Sequence, residues 1–193
     1  MIDLLEKYKL QYNNVVEFNR LFGFEKDCSI VSLSLRESLY QEEKEELISA
    51  LKNNDIVELA DGVADVMYVI LGSLDVLFLN EQAYKLYLER LISMNSFIAE
   101  YFTDRQFFKV FEVVHKSNMS KACDSLDTAF KTMATDKYKE LSAFAVRVEN
   151  GKYALYCNAN YPNLGLAKGK LLKSIDYLKA DLNFVKQWNI QIL

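Results

Sequence analysis

Five carboxylates stand at spacings that suit metal chemistry. Glu42, Glu43 and Glu46 form a Glu-Glu-x-x-Glu run, and Asp61 and Asp65 follow at i, i+4. If both stretches are helical, each set gathers on one side of its helix. With Leu39 as origin, Glu43 falls at about 40° and Glu46 at about −20°, the side shared by Leu35 and Ala50. Glu42 borders that side. Glu45 points away, beside Lys52. Asp61 and Asp65 lie on a stripe continued by Tyr68 and Gly72, in a stretch that is apolar almost all round, and Glu58 borders it. Four glutamates in five residues also fit a solvated face, and one Asp in an apolar helix fits a hydrogen-bonded structural residue. The two runs together are harder to explain that way. A buried, unpaired carboxylate costs on the order of several kcal/mol. Of the basic residues, Arg36 alone lies near the inner face of the first stretch, and the second stretch has none. A divalent cation supplies the missing charge, and all-oxygen ligands select Mg²⁺ or Mn²⁺ over zinc.

Other chemistries are poorly provided for. The chain of 193 residues has one histidine, His115, and three scattered cysteines, Cys28, Cys123 and Cys157, with no CxxC pair. A disulfide scaffold and a Cys/His zinc site are not expected. No Gly-rich loop ending in Gly-Lys-Ser/Thr is present, so P-loop chemistry is not expected either. The net charge is −4, which gives no basic field for nucleic acid or an anionic membrane. The N-terminal residues carry charges where a secretory segment is apolar. The most apolar stretch, 63–79, holds Asp65 and Asp75 and is short for a membrane span. These features read as a cytoplasmic protein with neither nucleic-acid nor membrane partners.

The elements that must position the carboxylates are helices. Six glycines and one proline in 193 residues are far fewer turn formers than usual. The periodicity predicts a first helix over 3–23 stopped by Gly23, then a loop over 24–30. Further helices are predicted over 34–53, 56–79, 81–102 and 104–117, with Asn54 or Asp55 and Thr103 or Asp104 as caps. Residues 124–140 fit one more. After it, residues 143–149 and 152–157 are rich in β-branched and aromatic side chains around Asn150-Gly151, a strong hairpin signal. The expected fold is mainly α: a helical bundle over 1–122, with a helix, a small β-hairpin appendage and a basic tail over 123–193.

These residues resemble the MazG-like, all-α nucleoside triphosphate pyrophosphohydrolase superfamily, in its phosphoribosyl-ATP pyrophosphohydrolase-like branch common in phages and bacteria. The resemblance rests on Leu35-Arg36 ahead of Glu42-Glu43-x-x-Glu46, and on Ala60-Asp61-Gly62-Val63-Ala64-Asp65-Val66-Met67-Tyr68 after it. His115-Lys116-Ser117-Asn118-Met119-Ser120-Lys121 is similar to a His-x-Ser-Asn-Met-Ser-Lys segment of that branch. Gly169-Lys170-Leu171-Leu172-Lys173 is similar to its C-terminal Gly-Lys-Val-Leu-Lys segment. The usual Glu-x-x-Asp of the second acidic helix departs here, because Gly62 stands three residues before Asp65.

The resemblance implies Mg²⁺-dependent hydrolysis of a (d)NTP to a monophosphate and pyrophosphate, in nucleotide-pool control or housecleaning. It places the metal on Glu42, Glu43, Glu46 and Asp65, with Asp61 on the same face. Glu43 or Glu46 is left to orient or deprotonate the water. It further implies that Asn118 contacts the nucleoside, Lys121 a phosphate, and Lys173 the triphosphate. Asn118 also fits a plain helix stop, Lys173 a solvated tail, and His115 a satisfied core residue. The same fold admits an alarmone such as ppGpp or phosphoribosyl-ATP as substrate, or a non-catalytic helical oligomerisation module. A homodimer or homotetramer is expected, from the extent of apolar helix surface and from the resemblance.

Overall fold

The computed structural model describes residues 2–24, 30–166, 168–188, 190 and 192; most of the loop expected over 24–30, including Cys28, lies outside them. The described residues are mainly helical, with a small three-stranded antiparallel sheet near the C-terminus. The helices are α1 (Ile2–Lys7), α2 (Lys9–Leu21), α3 (Ile30–Lys52), α4 (Ile56–Val76), α5 (Glu81–Tyr101), α6 (Asp104–Met119) and α7 (Leu126–Met133). The strands are β1 (Ala143–Arg147), β2 (Tyr153–Cys157) and β3 (Leu171–Leu172). No helix is long and apolar enough to cross a membrane among the described residues.

The chain forms two compact units. The first holds residues 1–20, 24–115 and 180–193; the second holds 21–23 and 116–179. In the first unit α4 is the central element. It is strongly apolar and buried from Leu59 to Val76 apart from Asp61, Asp65 and Val69. Such a helix must be covered on all sides. Leu182 and Val185, in the returning C-terminal segment, join its core. Asp55 caps α4 by accepting from the Val57 and Glu58 amides at 3.0 and 3.2 Å. Thr103 and Gln106 form a reciprocal cap at α6: the Thr103 amide donates to Gln106 Oε1 at 2.8 Å, and the Gln106 amide to Thr103 Oγ1 at 3.4 Å.

The expected first helix is interrupted. Tyr8 separates α1 from α2, fully buried, with its hydroxyl donating to Asn95 Oδ1 at 2.9 Å and its ring edge-on to Phe107 at 5.8 Å. Gly23 does end α2, at φ +64°, with the Phe24 amide donating back to the Asn19 carbonyl at 2.8 Å. Arg90 of α5 ties to α3 through Glu37 with two bonds of 2.8 and 2.9 Å, while its guanidinium lies 3.8 Å from the Tyr40 ring centroid.

In the second unit the hairpin forms in the expected place, pairing Ala143 with Cys157 through Arg147 with Tyr153. Asn150 and Gly151 both take positive φ, as a turn at this point requires. The connection is one 3-10 turn longer than a two-residue loop. The tail adds β3, which pairs Leu172 with Leu155 and turns the expected hairpin into a sheet. Its core is Cys123, Ala129, Tyr138, Leu155, Cys157 and Leu172, and both cysteines are free.

Gly62 lets α4 approach α3 closely, and Gly72 leaves room for neighbouring side chains. A Cβ on Gly62 would lie 3.1 Å from the Cα of Leu47, and one on Gly72 would lie 3.2 Å from Arg36 Nη1. Helical Gly→Ala ordinarily gains about 1 kcal/mol. At Gly62 the obstacle is backbone, so Gly62→Ala is expected to lower stability by about 1–3 kcal/mol, read as a reduced urea midpoint at unchanged slope.

Candidate functional site

The carboxylates are carried by the α3–α4 hairpin, closed by the turn at residues 53–55. Leu47 meets Gly62, and eleven residues back along α3 Arg36 meets Gly72, ten residues on along α4. The turn makes the helices antiparallel, and the Leu47–Gly62 backbone contact fixes their register. Counting from it at the common helical rise places Glu43 about level with Asp65 and Val66, and Glu46 about level with Gly62 and Val63. The expected acidic residues therefore occupy matching turns of the hairpin, with Asp61 one step along and Glu42 beside Glu43.

Their burial differs from the stripe drawn on sequence. The inner face of α3 runs through Arg36, Leu47 and Ala50. Glu43 is half-buried, whereas Glu42 and Glu46 are exposed. Helical projection with Leu39 as origin put the centre of that face too near Glu46, because Leu39 and Leu35 are themselves only half-buried. Asp61 and Asp65 are half-buried and Glu58 is exposed. Oxygen donors of this kind suit a hard divalent cation. Among the described residues no group of three or more His, Cys, Asp or Glu side chains is gathered closely enough to hold a metal ion.

Gly62 stands where the Glu-x-x-Asp pattern has its glutamate. Any side chain there would begin against the Leu47 backbone. The acidic group stands instead at Asp61, half-exposed beside the contact. A glycine in the interior of an apolar helix was the signal for this close approach.

Arg36 does not serve as counter-charge to the glutamates. It is buried, and burial lowers its pKa to about 10, which leaves it charged at neutral pH. Its Nη2 donates to Asn19 Oδ1 at 3.5 Å, while Asn19 Nδ2 donates to Asp75 Oδ2 at 2.9 Å and to the Gly72 carbonyl at 3.3 Å. Asn19 thus bridges a buried cation and a buried anion. Sequence reading placed Arg36 and Asp75 beside apolar residues without pairing them. His115 is half-buried, and its Nδ1 shares a 3.0 Å hydrogen bond with the Tyr68 hydroxyl. Burial, then Asp65 and Glu17, push the Tyr68 pKa well above its ordinary value. The ring stacks on Phe111 at 5.5 Å.

Asn118, Lys121 and Lys173 all belong to the second unit. The segment ending α6 and the segment after β3 are stitched together there. Ser117 Oγ donates to Tyr177 Oη at 2.9 Å, the Ser174 amide to the Lys121 carbonyl at 3.2 Å, and the Leu178 amide to Ser120 Oγ at 3.0 Å. Asn118 is buried, Lys121 half-buried and Lys173 exposed. The two basic motifs singled out on sequence are therefore neighbours in space.

Residues 24–82, which contain the α3–α4 hairpin, match the family model described as phosphoribosyl-ATP pyrophosphohydrolase. That is the branch the sequence resembles, and the match supports an activity of the pyrophosphohydrolase type. The matched segment is under a third of the chain. No curated protein and no solved structure matches.

The stitching rests partly on α7: Thr132 Oγ1 donates to the Thr128 carbonyl at 2.7 Å and accepts from the Ile175 amide at 3.0 Å. Thr132→Val keeps the shape and removes the acceptor. It is expected to cost about 1–2 kcal/mol. Amide exchange should quicken at Ile175 before the rest of the unit.

Proposed function

We propose, from the match of residues 24–82 to phosphoribosyl-ATP pyrophosphohydrolase, that this chain is a Mg²⁺-dependent nucleoside triphosphate pyrophosphohydrolase acting on (d)NTPs in nucleotide-pool control. The observation that carries the reading is the register of the α3–α4 hairpin, in which Glu43 is about level with Asp65 and Val66, and Glu46 with Gly62 and Val63, one step from Asp61. Glu42, Glu43, Glu46, Asp61 and Asp65 are the residues that would hold the metal. A bound Mg²⁺ would neutralise phosphate oxygens and lower the pKa of a coordinated water.

The reaction is attack of water on the α-phosphorus. The new bond is P–O from water, the α–β bridging P–O bond breaks, and pyrophosphate leaves with the electron pair. Glu43 or Glu46, whichever is not committed to the metal, takes the proton from the attacking water. Asn118 offers a donor and an acceptor to the nucleoside. Lys121 and Lys173 supply mobile positive charge for phosphate oxygens. A homodimer or homotetramer goes with this reading. Although α4 is covered within its own unit, Leu79, Leu86 and Ile92 stay exposed at and beyond its end.

The matched family, phosphoribosyl-ATP pyrophosphohydrolase, favours one second reading, with phosphoribosyl-ATP as substrate. Base and sugar preference depend on pocket shape and not on the acidic motif. Pyrophosphate release from a panel of (d)NTPs, ppGpp and phosphoribosyl-ATP, with and without Mg²⁺, separates the two. Release from one or more (d)NTPs, only with Mg²⁺ or Mn²⁺, is expected. Glu46→Gln should lower kcat by about 10²-fold or more, and Mg²⁺ should raise the Tm of the parent but not of Asp65→Asn. Full Mg²⁺-dependent turnover in Asp65→Asn would remove that ligand. A panel with no pyrophosphate released would reject the enzyme reading.

A further inference from the structure

Tyr177 touches both basic motifs of the second unit at once. Its hydroxyl oxygen accepts from Ser117 Oγ at 2.9 Å, one residue before Asn118. The face of its ring lies 4.6 Å from Lys173 Nζ, inside the range of a cation–π contact. Its amide donates to the Ser174 carbonyl at 3.0 Å, which turns the chain so that one ring serves both ends. Lys173 is exposed, so its ammonium would otherwise sample many rotamers. Ser117 and Asn118 are buried, so their end of the contact is firm.

We propose that Tyr177 is a positioning residue that holds the Lys173 ammonium beside the turn at residues 117–121, making of the two motifs one receiving surface for polyphosphate oxygens. The inference rests on the reading of Lys173 as a phosphate contact given above. The ring restricts the lysine, and the hydroxyl fixes the ring to the turn. Each half of the residue thus has a separable part: Phe keeps the ring and loses the tether, whereas Leu loses both. Because the ammonium itself meets the phosphate, Tyr177 acts through Lys173, and its contribution vanishes when the lysine is removed.

The test is a double-mutant cycle on the full chain, with inorganic triphosphate as the probe and Kd read by calorimetry, beside Tm for each variant. Tyr177→Leu is expected to weaken triphosphate binding about threefold, the scale of an exposed cation–π contact. Tyr177→Phe should recover most of that loss. In the Lys173→Ala background, Tyr177→Leu should change Kd less than about 1.5-fold, since the coupling is gone. In turnover, the Tyr177 variants should raise KM and leave kcat unchanged. Equal losses in both backgrounds, an unchanged Kd in Tyr177→Leu, or no triphosphate binding by the parent would each overturn the proposal. Nucleotide turnover without this coupling would overturn it and leave the hydrolase reading intact. Coupling without turnover of any nucleotide would do the reverse.

Discussion

The close approach of α3 and α4 is the constraint on which the placing of the acidic residues depends. At Gly62 the missing side chain lets α4 come up against the Leu47 backbone of α3, whereas Gly72 leaves room for the side chains of Val15, Arg36 and Asn19. The Leu47–Gly62 contact and the short turn after α3 set the register. The carboxylates then need no long-range contact of their own to be nearly level with one another, since helical geometry carries the register from Gly62 to Glu43, Glu46 and Asp65. A side chain at position 62 would press on the α3 backbone at Leu47, one residue from Glu46.

The second glycine also makes room for a charge. Arg36 is buried against it, and a guanidinium in such a place is costly unless its charge is answered. Here the answer is indirect. Asn19 holds Arg36 with its oxygen and Asp75 with its nitrogen, and also donates to the Gly72 carbonyl. One amide thereby joins α2, α3 and α4 by directional bonds at the end of the bundle away from the acidic residues. An apolar core tolerates sliding of one helix on another; a polar bridge with three partners does not, and it keeps the helices in one arrangement.

Much of this was legible in the residues. Helix spacing, the Asp55 and Thr103 caps, the Gly23 stop and the Asn150-Gly151 turn are local signals, and each appears where the pattern put it. The acidic pair on α4 was legible for the same reason. What was not legible depends on distant partners. The division at Tyr8 is slight, since its amide still donates to the Leu4 carbonyl at 3.2 Å, and its hydroxyl bond to Asn95, 87 residues away, has no local signal. The inner face of α3 was misplaced towards Glu46, because leucines at its rim looked the same as leucines at its centre. The third strand has only two residues, too few for any periodicity, and it exists because β2 offers it an edge. That the segment of Asn118 and Lys121 lies against the segment of Lys173 was not legible in the sequence; the bonds from Ser117, Ser174 and Leu178 join them.

The C-terminal segment has a consequence for the order of assembly. Leu182 and Val185 complete the core around α4, more than a hundred residues behind it in the chain. The first unit therefore closes with residues that lie beyond the whole of the second. Contacts of such sequence separation slow folding, because the intervening loop must be closed before they contribute. During synthesis α4 would wait with part of its apolar surface uncovered while residues 116–179 are made and folded. Within residues 116–179 the span from Ser117 to Tyr177 is 60 residues, shorter than the one the first unit must close, so the segment downstream of the matched residues has the shorter path.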